Sequence, residues 1–237
     1  MVGPRNDEIS GDYRNLISMV RARISTFDEK PQPGEKLLVI RHDVDHDLEH
    51  AVRFARMEAR GNIFATYFLL PTAKYFDYSK EFEFHVHRLL TRGHQIGLHN
   101  NALAQYLSNQ GSLEHLISKP LKYLRSLGAD VRFTAAHGDG ACYEKDFVNF
   151  HMWKECERKI NIAIPQISLK DYGLQEVYFL PRDCYLSDSG GRWRGGFSNG
   201  LLFERDYPKN NPIKIIQDFN SLSEGSLHLL VHPIWWE

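Results

Sequence analysis

Short apolar runs alternate with stretches of helical periodicity along this chain. Leu37-Leu38-Val39-Ile40 is an unbroken apolar run of strand length, the pattern of a strand covered on both faces. Ile63 to Leu70, the segment His94 to His99, Val131 to Ala136 and Leu227 to Val231 read as further strands. Between them apolar positions recur three and four residues apart. Leu48, Ala51, Val52 and Ala55 make one helix face, and Leu113, Leu116, Ile117, Leu121 and Leu124 another. Further helices are predicted from about Glu83 to Arg92 and near Ile213 to Phe219. Gly61 and Gly93 close the first two, and Pro120 predicts a bend. At the start, Tyr13, Leu16, Ile17, Val20 and Ile24 space out one more helix before Pro31, Pro33 and Gly34. From about Phe147 to Phe203 the regularity fades. Strand and helix in alternation predict an α/β fold with a parallel sheet and right-handed crossovers. Residues 1–33 read as an N-terminal helical extension and 34–237 as one domain.

Polar chemistry falls at one place in this pattern. Four predicted strands run out into His or Asp: Asp43 and Asp45, His99, His137, and His232. In parallel α/β folds the carboxyl ends of the strands share a face, and sites are built there. A His and carboxylate set converging on one rim has a metal site's composition. Any one of these residues alone also suits a helix cap or a turn; four strand ends together carry the inference.

Bulk properties narrow the function. The 237 residues are 42% hydrophobic and 25% charged, enough for one core without staples. With 29 basic against 30 acidic residues there is no electrostatic case for a nucleic-acid partner. Cys142, Cys156 and Cys184 form no CxxC pair, so neither a zinc knuckle nor a disulfide framework is indicated. No apolar run reaches the roughly 20 residues that span a bilayer, so no membrane insertion is expected. The first residues lack a secretory apolar segment, and a cytoplasmic location is expected.

Arg41-His42-Asp43-Val44-Asp45 resembles the first motif of the polysaccharide deacetylase superfamily, in its His-Asp-Val-Asp variant. The segment 61–68 is similar to that family's second strand. Gly93-His94-Gln95-Ile96-Gly97-Leu98-His99 is similar to its second motif, and Leu229-Leu230-Val231-His232-Pro233 to its last. The resemblance covers roughly residues 36 to 236. It implies a distorted (β/α)7 TIM-like barrel and a hydrolase that removes an acyl group, in particular N-acetyl, from a sugar or glycan precursor with a divalent metal, zinc by expectation. It further implies Asp43 as the base and Asp45 as a metal ligand, an order that the intervening Val44 leaves reversible. His99 takes the first metal-histidine position, and His232 the acid that protonates the leaving group.

The chain departs from the family at two points. Leu103 stands where a second ligand is usual, so the third ligand falls to His137, with His42 as the alternative. The arginine that orients the base is missing from the strand end at His137, and Arg41, Arg192 or Arg194 is left to replace it. The Gly-rich stretch from Tyr185 to Gly196 reads either as a surface loop or as a substrate loop. In the second reading Asp188, Arg192, Trp193, Arg194 and Trp235 bind substrate, with Trp193 stacked on a sugar and an arginine on an anionic group. Two other functions remain open: a metal-independent or altered C–N hydrolase on the same scaffold, and a carbohydrate-binding protein with a degenerate site. Oligomeric state is not encoded in any visible feature.

Overall fold

The computed structural model describes residues 13–158, 160, 162–189, 191–197 and 211–236. Among the described residues nine strands form one sheet. In chain order they are β1 (Arg23–Ser25), β2 (Lys36–Val44), β3 (Thr66–Leu69), β4 (Gln95–Asn100), β5 (Phe133–Ala136), β6 (Gln175–Glu176), β7 (Cys184–Ser187), β8 (Arg194–Phe197) and β9 (Gly225–Val231). They lie in the order β6-β5-β4-β3-β2-β9-β7-β8, with β1 alongside the first half of β2. Every pairing is parallel except β7 with β8.

The crossovers are α2 (Leu48–Arg60), α3 (Lys80–Leu90), α5 (Leu113–Ser126) and α7 (Pro212–Ser221), where the apolar spacing puts helices. Asp47, Ser79, Ser112 and Asn211 cap their amino ends through side-chain oxygens. Pro120 lies inside α5. Two short helices, α4 (Ala102–Leu107) and α6 (Gly140–Glu144), follow β4 and β5 directly.

The sheet is curled. Phe27 meets Phe133 of β5 at 5.4 Å and His228 of β9 at 5.3 Å between ring centroids. Those strands are four steps apart, about 19 Å in a flat sheet. One side chain touches both only if the sheet wraps around it. Val39, Phe68, Ala135 and Val177 complete this inner cluster, while the larger core lies between the sheet and its helices. Among the described residues β6 and β8 end the sheet, a curled half-barrel consistent with the distorted (β/α)7 barrel that the resemblance implies, built on the parallel sheet that the alternating pattern predicts.

The N-terminal region differs from its reading. α1 covers only Tyr13–Ser18, and Ile24 lies in β1, paired with Leu38. The first twelve residues of the predicted extension lie outside the described residues.

Gly97 makes room for the Phe68 ring on the neighbouring strand. It faces Phe68 across the β3–β4 ladder, and a Cβ there would lie 2.4 Å from that ring. Phe68 is fully buried and has nowhere to move. Gly97→Ala is therefore expected to destabilise the fold by about 2 kcal/mol, read from chemical denaturation. An unchanged midpoint would show that the strands relax freely.

Candidate metal and acid–base site

β2 does not stop at Ile40 but carries its ladder through Val44, so strand alternation governs the motif residues. Arg41 and Asp43 share one face and His42 takes the other. Arg41 is 3% exposed, held against the rings of Phe68 and Tyr178, and grips Asp43 through two parallel hydrogen bonds of 2.7 Å from Nε and a terminal guanidinium nitrogen. Of the three arginines open for orienting the base, Arg41 is the one in place. Burial pushes the Asp43 carboxyl up, but Arg41, then His99, outweigh it and hold it below the usual carboxylate range.

His42 does not reach the site. Its Nδ1 bonds Val231 O at 3.0 Å and its Nε2 bonds Glu58 Oε1 at 2.8 Å. Glu58, fully buried in α2, also accepts from Tyr13 and Tyr67. This network ties β2 and β9 to α2, and the alternative of His42 as third ligand is corrected.

The three expected ligand residues do converge. Asp45 Oδ1 lies 3.3 Å from His99 Nε2 and 4.0 Å from His137 Nε2. Among the described residues, Asp45, His99 and His137 are a group whose ligand atoms all fall within 4.8 Å of one another. His99 Nδ1 donates to Ala135 O at 2.9 Å, which leaves Nε2 as the ring nitrogen turned towards Asp45 and Asp43. Asp45 Oδ1 is buried and makes no hydrogen bond. Burial, reinforced by His99, lowers His137 to about 4, so it is a neutral donor at pH 7. The buried Asp45 oxygen without a donor, beside two imidazoles, is an arrangement that a cation satisfies. Zinc bonds of ~2.0–2.1 Å put tetrahedral donors roughly 3.3 Å apart, which Asp45 and His99 meet at 3.3 Å and Asp45 and His137 exceed at 4.0 Å. The donor set fits a divalent metal. Leu103 is fully buried in α4 and donates nothing.

His232, at the end of β9, sits on the other side of Asp45, with Nε2 3.5 Å from Oδ2. Its Nδ1 meets Asp188 Oδ1 at 2.6 Å, and Asp188 Oδ2 also accepts from the His232 backbone and from Trp236 Nε1. Burial would lower the imidazole, but the hydrogen bond and charge of Asp188, with Asp43 and Asp45, raise it to about 9. His232 therefore stays protonated at neutral pH.

The substrate residues expected in the Gly-rich stretch change role. Asp188 is fully buried and spends its oxygens on His232 and Trp236, so it positions the acid and is not open to substrate. Trp193 is 3% exposed and packs against Trp236, leaving no free face for a sugar. Arg192 and Arg194 are exposed on either side of it. Gly190 lies outside the described residues. Trp235 is half-buried with its ring 4.5 Å from that of His232, at the rim where it was expected.

Two buried amides escaped the sequence reading. Asn149 donates to Asn101 Oδ1 and His137 O and accepts from Ala104 N, while Asn101 donates to Asp139. Together they fix the turn that carries His137. Asn101 directly follows the motif strand and was visible; Asn149 lies in an irregular stretch with no periodic signal.

No family model matches the chain, and no curated protein matches it. Solved structures do. A peptidoglycan N-acetylglucosamine deacetylase bound to an N-oxidanyl-benzamide matches 51% of this chain and 53% of its own at 21% identity, with a TM-score of 0.34. The catalytic domain of a peptidoglycan N-acetylglucosamine deacetylase from Eubacterium rectale matches 87% of this chain and 80% of its own at 13% identity and a TM-score of 0.45. Peptidoglycan deacetylase PdaC from Bacillus subtilis matches 86% and 78% at 11% identity and a TM-score of 0.43. The chain spans about half the length of the first of these.

Proposed function

We propose that this chain is a metal-dependent hydrolase of the polysaccharide deacetylase type, removing an acyl group, in particular N-acetyl, from a sugar. The observation that carries the reading is the meeting of Asp45, His99 and His137 around one point, with Asp43 and His232 beside it. Asp45, His99 and His137 would hold the metal. A divalent cation held there would supply Lewis-acid polarisation of an acyl carbonyl and would acidify water.

The protein's own groups divide the remaining work. Asp43, ionised and clamped by Arg41, takes the proton from the attacking water. The clamp fixes which lone pairs face the site and prevents the carboxylate from swinging on to the metal ligands. His232, protonated and held by Asp188, gives its proton to the departing nitrogen or oxygen. Base and acid are separate groups whose surroundings push their affinities for protons in opposite directions, as two-step proton transfer requires.

Untagged protein equilibrated with zinc is expected to bind one ion per chain and to release acetate from N-acetylated saccharides. Chelation should abolish the release and zinc restore it. His137→Ala is expected to weaken zinc binding by at least about a hundredfold, measured by competition with a chromophoric chelator. Wild-type protein that takes up no zinc, or acetate release that resists chelation, overturns the reading.

A further inference from the structure

Away from the proposed metal group, the outer surfaces of α2 and α3 gather positive charge. Arg56 and Arg60 lie one turn apart on α2, and Arg88 and Arg92 one turn apart at the end of α3, so each pair shares a helix face. Burial, then the charges of Arg88 and Arg56, lower the Arg92 guanidinium from its ordinary value, a sign that the two pairs adjoin where α2 meets α3. Two aromatic rings extend the patch. Phe84, one turn before Arg88, is 55% exposed, with the Arg88 guanidinium 5.3 Å from its ring centroid. Arg92 donates to Arg88 O, and Gly93 after it lies against the ring of Phe64, itself 41% exposed.

The charge is segregated and not general, since the chain has 29 basic against 30 acidic residues. Arg53 of α2 is paired with Glu49, whereas among the described residues Arg56, Arg60, Arg88 and Arg92 meet no carboxylate. The acids Glu49, Glu81 and Glu83 stand in the first turns of the two helices, and Glu58 is buried beneath α2. A helix carboxyl end attracts a cation, but four arginines brought together repel one another. An anionic partner removes that repulsion.

We infer that this face of α2 and α3 docks the chain on an anionic lipid surface, with the four arginines over headgroup phosphates and Phe64 and Phe84 entering the headgroup layer. Guanidinium groups match phosphate oxygens in pairs, and a cluster of about four basic residues is what an anionic leaflet attracts. The exposed rings favour a lipid surface over a soluble polyanion, because they gain only where an apolar layer lies beneath the charge. Phe64 precedes β3 and Gly93 precedes β4, so the patch reaches the amino ends of the strands. Docking there leaves the opposite rim, with Asp45, His99 and His232, open to substrate. The inference does not depend on the deacylase reading.

The test is co-sedimentation of the full chain with vesicles of phosphatidylcholine alone and of phosphatidylcholine with about 30% phosphatidylglycerol. The chain is expected to partition on to the anionic vesicles at least about tenfold more strongly, and to leave them in about 1 M salt. Arg56→Glu with Arg60→Glu, both at exposed positions, should weaken that partition by about tenfold or more. Lys145→Glu with Lys170→Glu reverses as much charge at exposed positions outside the patch and should leave it within about twofold. Phe84→Ser should weaken it by about threefold or more with its salt dependence kept. Equal partition on to the two vesicles, no partition on to either, or equal losses from the two double variants overturns the inference. Loss in the arginine variant with none in Phe84→Ser, together with equally tight binding of soluble dextran sulfate, assigns the patch to a polyanion and overturns it as a lipid surface.

Discussion

Asp43→Asn is expected to lower kcat by about a thousandfold while zinc stoichiometry stays at one per chain. Asp43 stands beside the group formed by Asp45, His99 and His137, with Oδ2 3.4 Å from His99 Nε2, within reach of a water held there. An amide in its place cannot take a proton, and its NH2 end would face the Arg41 guanidinium, donor against donor. Arg41→Lys tests the same unit from the other side. It keeps the charge but loses the fork that fixes both Asp43 oxygens, and a drop of about tenfold to a hundredfold in kcat is expected. The order of the two variants matters. If Asp43→Asn retains activity while Asp45→Asn loses both activity and zinc, the base is not Asp43. If Asp43→Asn loses zinc, Asp43 is a ligand and the division of labour between the two aspartates is reversed.

Much of this site was legible because strands announce themselves by unbroken apolar runs and the chemistry follows where those runs end. Asp43, Asp45, His99, His137 and His232 needed only the rule that parallel strands finish on one face. His137 as replacement for Leu103 followed from the same rule, since β4 and β5 are neighbours and their ends adjoin. What the rule does not give is side-chain direction. Reading β2 as ending at Ile40 left His42 free to point either way; once the strand runs to Val44, alternation sends it to Glu58 and selects Arg41 to hold Asp43. Trp193 was misplaced for a related reason. A tryptophan in a Gly-rich stretch looks exposed, yet here it directly precedes β8 and its ring packs against Trp236. Ile24 fits a helical spacing and also a three-residue strand, and only its pairing with β2 separates the two. Asp188 and Asn149 act over 44 and 48 residues of chain, on His232 and Asn101 respectively, and no local pattern encodes partnerships of that range.

The partnership of His232 with Asp188 sets the second large effect, which appears in the pH profile. In the folded protein the imidazole is raised to about 9, above its ordinary 6.5, because Asp188 outweighs the cost of burial. An acid must be protonated to act, so the rate holds through neutral pH and falls as pH rises through that value. The same shift stabilises the fold: the contribution is complete below about 6.5 and lost as pH climbs towards 9. Asp188→Asn keeps the shape and removes the charge. Burial then dominates, and the alkaline limb is expected to move down by at least about one unit. A divalent cation near Asp45 repels the imidazolium and lowers the limb in both proteins, but the direction of the difference between them survives. The variant should be some tenfold to a hundredfold slower at pH 8 and should recover part of that loss at pH 6. A merely structural role for Asp188 predicts an equal loss at both values. Profiles of kcat that superimpose after scaling would remove Asp188 as the group that keeps the acid charged, and with it the assignment of His232 as proton donor.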